Sequence, residues 1–169
     1  MKNNIVLIGF MGVGKGNISR TLSKKLDMLA LDTDDVIVSM EKRQIKSIFK
    51  KEGEAYFRSL ENKICLWIAA NIDNTIISTG GGFPIYAEDI KPMGKIVYLK
   101  NSFDGIIKRI DESPNPKKKL KKRPLFKDKK KAKALLESRL EKYAQAADVV
   151  IDTEGKTTEM IISEIIAAR

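Results

Sequence analysis

The chain has no histidine and a single cysteine, Cys65. Without imidazole there is neither a Ser-His triad nor a histidine-ligated metal, and without a second thiol there is neither an internal disulfide nor a thiol cluster for zinc. Long hydrophobic runs are also missing. The opening segment MKNNIVLIGF holds an apolar stretch that stops at glycine, too short for a signal-peptide core or a membrane span. No other stretch approaches a span, so a cytoplasmic protein with no membrane partner is expected. Linker-like composition and internal repeats are absent too, and 169 residues suit one domain around one core.

Positive charge is abundant but unevenly placed. The net charge is +10, and residues 117 to 133 contain eleven Lys or Arg against one acid, Asp128. Elsewhere basic and acidic residues balance. Most of these lysines read simply as a solvated loop and helix, while the concentration around Arg123-Pro124 suits a cover over an anion. Nucleic-acid binding by stacking would need interleaved aromatics, and Phe126 is the only one nearby. No nucleic-acid partner is expected.

Short apolar runs at residues 4–8, 28–31, 75–78, 95–99 and 149–151 alternate with segments of helical spacing. Phe57, Leu60, Ile64 and Trp67 form one such series; Phe103, Ile106, Ile107 and Ile110 a second; Ile161, Ile162, Ile165 and Ile166 a third. This alternation predicts an α/β fold of three layers, a five-stranded parallel sheet flanked by helices. Ligands in such sheets bind at the carboxyl ends of the strands. Residues 111 to 133 have three prolines, few apolar residues and dense positive charge, so a mobile lid is expected over about 112–128.

Directly after the first run comes GFMGVGKG, matching G-x-x-x-x-G-K at Gly9, Gly14 and Lys15. Its glycines let successive N–H groups face an anion, the next helix adds its positive end, and Lys15 reaches the β/γ-phosphates. Gly12, Val13, Gly14, Lys15, Gly16 and Asn17 are therefore candidate ATP-binding residues. The pattern calls next for a Ser or Thr hydroxyl to bind magnesium, and the chain has Gly16 and Asn17 there. Asn17 points elsewhere around the helix and Ser19 lies a turn deeper. Magnesium can rest on phosphates, waters and one carboxylate, so catalysis is expected to be weakened rather than abolished.

After the second run, LDTDD places Asp32 and Asp34 at the mouth of the sheet, suited to holding Mg2+ through water and to orienting a hydroxyl nucleophile. Helix capping by Asp32 or Thr33 would account for one acid but not both. Arg58, at an expected helix start, and Arg139, between Leu136 and Tyr143, lie beside core-facing stripes, where a guanidinium needs an anion. For each, an ordinary salt bridge is the plain alternative. STGGG, with Gly80, Gly81 and Gly82, marks close approach of backbone to a ligand.

GFMGVGK, LDTDD, GEAYFR, STGGG, KRPLF and R-x-x-x-Y-x-x-x-A-D occur in an order that resembles the shikimate kinases over nearly the whole chain. The resemblance implies a single P-loop kinase domain over 1–169, related in fold to nucleoside-monophosphate kinases. Residues 33–62 or so would form the substrate-binding helical segment. It also implies ATP as co-substrate, Mg2+ as cofactor, shikimate as acceptor and a monomer. Lys15, Asp34 and Arg123 would be catalytic, and Asp32 would lie in the magnesium shell. Arg58, Gly80, Gly81, Gly82 and Arg139 would join Asp34 in holding shikimate, with Arg109 near adenine and Arg123 on the lid. The family has a hydroxyl where this chain has Gly16. Rival readings are a kinase for another polyol acid such as gluconate, and a catalytically weak nucleotide- or shikimate-binding module.

Overall fold

The computed structural model describes residues 2–121 and 123–169. Chain order is β1 (Ile5–Ile8), α1 (Lys15–Leu26), β2 (Leu29–Asp32), α2 (Thr33–Glu41), α3 (Ile45–Asn71), β3 (Thr75–Ser78), α4 (Phe83–Tyr86) and β4 (Lys95–Lys100). It continues with α5 (Phe103–Asp111), α6 (Pro116–Lys121), α7 (Lys129–Ala146), β5 (Val149–Asp152) and α8 (Thr158–Ala167). Single 3-10 turns occupy Lys91–Met93 and Pro124–Lys127.

All five strands pair in parallel, in the order β2-β3-β1-β4-β5. Helices cover both faces, so β1 and β3 are buried at every position; β1 is apolar throughout, and β3 is apolar at Ile76 and Ile77 between buried Thr75 and Ser78. The five expected strands are all present, with ends shifted by a residue. Ile18 and Leu22 of α1 are fully buried, as are Ile106 and Ile161 of α5 and α8. Chain reversal between β1 on one side and β3 or β4 on the other leaves a crevice at the carboxyl end of β1, where the glycine loop emerges.

One expectation needs correction. Trp67 is 49% exposed, and the inward stripe of α3 instead runs through Phe57, Leu60, Ile64, Cys65 and Ile68. Reading every third or fourth apolar residue as inward took in a residue one position off the stripe. Arg58 lies shortly after a break at Gly53 (φ 84°, ψ 178°), near the start of the second of the two helical pieces that make up α3. The span expected as a lid holds α6 and the Pro124–Lys127 turn. Phe126 anchors that turn by packing in the core against Phe10 and Phe103, at ring distances of 6.4 and 6.2 Å. Lys122, within the same span, lies outside the described residues.

Gly53 has no neighbour within 4 Å of where a Cβ would sit, so only its backbone demands glycine. Its conformation is one that residues with a side chain essentially never adopt. Gly53→Ala is therefore expected to destabilise the protein by about 1–3 kcal/mol in urea unfolding. An unchanged midpoint would mean that α3 straightens through the break at no cost.

Candidate active site

The carboxyl ends of β1, β2 and β3 open onto a cavity of about 550 Å³. Its wall includes Gly12, Gly14, Lys15, Gly16 and Asn17 of the loop and α1, and Asp32 and Asp34 from the β2–α2 junction. Gly80 and Gly81 from the turn after β3 complete one side; Arg109 of α5 and Arg123 of the lid complete the other. Residues spread over more than a hundred positions of sequence thus meet at one point. Gly14 takes a left-handed conformation (φ 108°) that starts α1 with no side-chain cap, so its first N–H groups remain free for a ligand. Val13 contributes no side chain to the wall, because it is fully buried in the core.

Lys15 is 8% exposed and its Nζ donates to the carbonyls of Gly9 (2.6 Å) and Phe10 (3.1 Å). Burial lowers its pKa to about 8, opposed by the negative charges of Asp34 and Asp32 and helped by the positive charges of Arg123 and Arg139. Asp32 caps α2, accepting the Asp34 N–H at 2.9 Å, and still lines the cavity. Capping and a role at the site are thus compatible. Burial raises the Asp34 pKa to about 6, Asp32 pushes the same way, and Lys15 pulls it down. A carboxylate in that range can receive a proton near neutrality.

Arg123 has Nη1 buried with no partner among the described residues, and its pKa is depressed by desolvation. An anion is what such a group requires. Arg109 is held by the carbonyls of Thr153 (3.0 Å) and Lys156 (2.8 Å), with its side chain against Gly14. At Gly16 a Cβ would meet only Arg20 Nη1, at 3.5 Å, so the helix start has room for a hydroxyl that the sequence does not supply. Asn17 turns away toward Thr158, its Nδ2 at 3.4 Å from that hydroxyl.

Arg58, Gly82 and Arg139 do not line this cavity; they stand beyond Asp34 and Gly81. The plain alternative holds for Arg58, which is salt-bridged to Glu54 (2.8 Å) and Glu61 (2.6 Å). Arg139 Nη1 donates weakly to the Gly81 carbonyl (3.4 Å), which also accepts from the Tyr143 hydroxyl at 2.6 Å. The glycines of the turn make room for the protein's own side chains. A Cβ on Gly80 would come within 2.7 Å of Asp34 Oδ1, and one on Gly82 within 2.5 Å of Arg58 Nη1.

Glu61 was not singled out from sequence. It is 1% exposed, its Oε1 has no partner among the described residues, and burial raises its pKa to about 7 against the pull of Arg58. The available signal was its position three residues after Arg58, on the same helix face. Glu54, Tyr86 and Tyr143 were missed as well.

Because Asp34 titrates near 6 in the folded chain but near 3.8 when unfolded, folding favours its protonated form. Its contribution to stability is complete below about pH 4 and disappears as pH rises through about 6. Asp34→Asn is therefore expected to exceed the parent in urea-unfolding free energy at pH 8 by about 2 kcal/mol, with no difference at pH 4. Equal stabilities at both pH values would place Asp34 in ordinary solvent.

Known proteins supply the comparison for this geometry. The family model for shikimate kinase matches residues 11–169. The shikimate kinase of Helicobacter hepaticus is 38% identical over 157 residues, covering 93% of this chain and 90% of its own. That of Dehalococcoides mccartyi is 40% identical over 169 residues, covering 97% and 92%. Among solved structures, the shikimate kinase from Acinetobacter baumannii in complex with shikimate superposes with a TM-score of 0.82 at 27% identity, covering 99% of this chain and 93% of that one. The Aquifex aeolicus enzyme gives 0.73 at 29% identity, covering 98% and 94%. By sequence and by fold, the chain belongs to the shikimate kinase family.

Proposed function

We propose that the chain transfers the γ-phosphoryl group of ATP to the 3-hydroxyl of shikimate, with the cavity residues in the following roles. The observation that carries this reading is the grouping of Lys15, Asp34 and Arg123 around one cavity, with Arg139 against Gly81 of its wall and Arg58 against the adjoining Gly82. It gives one place for a polyphosphate and, next to it, two guanidinium groups suited to a rigid carboxylate.

The loop N–H groups and Lys15 hold the phosphates, and Arg109 lies toward the base. Asp34 accepts a hydrogen bond from the acceptor hydroxyl and takes its proton as the oxygen attacks the γ-phosphorus. The bond from that phosphorus to the bridging oxygen breaks, and ADP leaves with the electron pair. Lys15 and Arg123 offset the charge on the transferred group, and the residues of the lid keep competing water out. Asp34 near 6 and Lys15 near 8 leave a window in which the first is charged as acceptor and the second as cation.

Mg2+ fits in a reduced form. Among the described residues no cluster of three or more His, Cys, Asp or Glu could hold a metal unaided, and Gly16 has no oxygen to offer. Asp32, through water, is the residue that would hold a Mg2+ brought in on the phosphates, where the ion supplies charge neutralisation. Among the described residues no helix is long and apolar enough to cross a membrane.

A coupled assay with ATP and Mg2+ is expected to show ADP release with shikimate and not with gluconate, with the rate rising through about pH 6 as Asp34 ionises. ADP release with gluconate alone would transfer the reading to the polyol-acid kinase. Nucleotide and shikimate binding without turnover would identify a binding module instead.

Gly16→Ser is expected to lower the magnesium concentration for half-maximal rate and to raise kcat, by on the order of tenfold or more, because even outer-shell changes at metal sites have effects of that size. The shikimate KM should hardly move. An unaltered magnesium titration would mean that Asp32 and the phosphates already satisfy the ion.

A further inference from the structure

Arg58 is confined from several sides at once. Its Nε and Nη2 donate to one oxygen of Glu54, at 3.1 and 2.8 Å, and its Nη1 donates to Glu61 at 2.6 Å. The rings of Phe57 and Phe49 lie 5.3 and 6.0 Å from its central carbon. By far the nearest ring is that of Tyr86, whose centroid is 3.9 Å from Arg58 Cζ, a stacking distance. The same ring is 5.9 Å from Arg139 Cζ. One aromatic therefore attends both guanidinium groups assigned to the acceptor.

The backbone explains how it reaches them. Helix α4 begins at Gly82, is pinned by fully buried Phe83, and is in contact with α3 on one side and α7 on the other. Tyr86 lies one turn after Gly82, with its N–H at 3.2 Å from the Gly82 carbonyl, so both residues share a face of the turn. Gly82 has no Cβ, and Arg58 Nη1 occupies the space a Cβ would crowd, within 2.5 Å. The guanidinium lies in the notch so formed, alongside the tyrosine ring. Tyr86 is 44% exposed, so core packing does not account for this placement.

We infer that Tyr86 is a positioning residue for acceptor binding: its ring holds the Arg58 plane and stands beside Arg139, so that two like charges present themselves together to one carboxylate. This rests on the reading that Arg58 and Arg139 bind the acceptor. Two guanidinium groups facing one site repel each other before the anion arrives, and an electron-rich ring face near both reduces that cost. The ring also keeps Arg58 from turning wholly onto Glu54, an exposed carboxylate that competes for the same donors. The phenolic hydroxyl has no part in it, so phenylalanine should serve equally well.

Steady-state kinetics on Tyr86→Ala, Tyr86→Phe and Arg58→Met, each also made in combination with Arg58→Met where applicable, separate the possibilities. Tyr86→Ala is expected to raise the shikimate KM on the order of tenfold, with kcat and the ATP KM unchanged and the unfolding midpoint close to the parent's. Tyr86→Phe should keep the parent's KM, and Tyr86→Ala should add little once Arg58 is Met. An unchanged shikimate KM in Tyr86→Ala, an equal rise in the ATP KM, or a loss in Tyr86→Phe matching that in alanine would each overturn the inference. If Arg58→Met itself leaves the shikimate KM unaltered, the assignment of Arg58 to the acceptor is what fails. If Arg58→Met raises KM and Tyr86→Ala does not, the assignment stands and the role of Tyr86 alone is rejected.

Discussion

Lys15 carries its charge where water hardly reaches it, with two carbonyl oxygens of its own loop as hydrogen-bond partners. A buried ammonium so weakly compensated is costly, and the depression of its pKa to about 8 measures that cost. The surrounding architecture limits it. β2 ends where Asp32 and Asp34 can set negative charge across the cavity, and the parallel order β2-β3-β1 brings the loops after β1 and β2 to the same end of the sheet, on either side of the turn after β3. Arg123 and Arg139 add positive charge to the same space. The balance favours a polyanion over a simple one, since Lys15, Arg109 and Arg123 converge on the cavity from three different elements.

The turn after β3 shows how side chains can dictate backbone. Glycines in such a turn are naturally read as making room for a ligand, yet two of the three make room for Asp34 and Arg58. Thr33, fully buried, fixes the turn by accepting the Gly80 N–H at 3.1 Å, so the β2–α2 and β3–α4 junctions are tied together directly. Asp34 cannot move far without displacing the turn, and the turn cannot move without disturbing Arg58. Asp34 and Arg58 are thereby placed by one piece of backbone.

Much of this was legible in sequence because it depended on local chemistry. Parallel strands covered by helices are mostly apolar along their length, so five short runs identified five strands to within a residue. The glycine loop, the paired acids and the basic lid announce themselves by composition. What escaped detection depends on contacts between distant helices. Trp67 sits one position off a stripe that cannot be located without knowing where the sheet lies. Val13 belongs to a motif by spacing, but its side chain is consumed by the core. Glu61 and Tyr86 look like ordinary helix and turn residues until α3, α4 and α7 are assembled around Arg58. The lid's single aromatic, Phe126, gave no hint that it plugs into the core against Phe10, itself in the glycine loop.

The two halves of the site differ in how far they are satisfied without ligand. On the side proposed for the acceptor, Arg58 has two carboxylates and a stacked ring, and Arg139 lies against a carbonyl that Tyr143 also engages. On the phosphate side Arg123 has a buried donor with no partner among the described residues, Lys15 makes do with loop carbonyls, and Gly16 offers nothing to a metal. Preorganisation of the acceptor side lowers the entropy lost in fixing a small rigid substrate. Undersatisfied cations do something else: their desolvation has been met during folding, so an arriving polyphosphate meets donors already stripped of water and gains the full strength of each contact. Gly16 extends the same deficit to the metal, because that position offers it no side-chain oxygen.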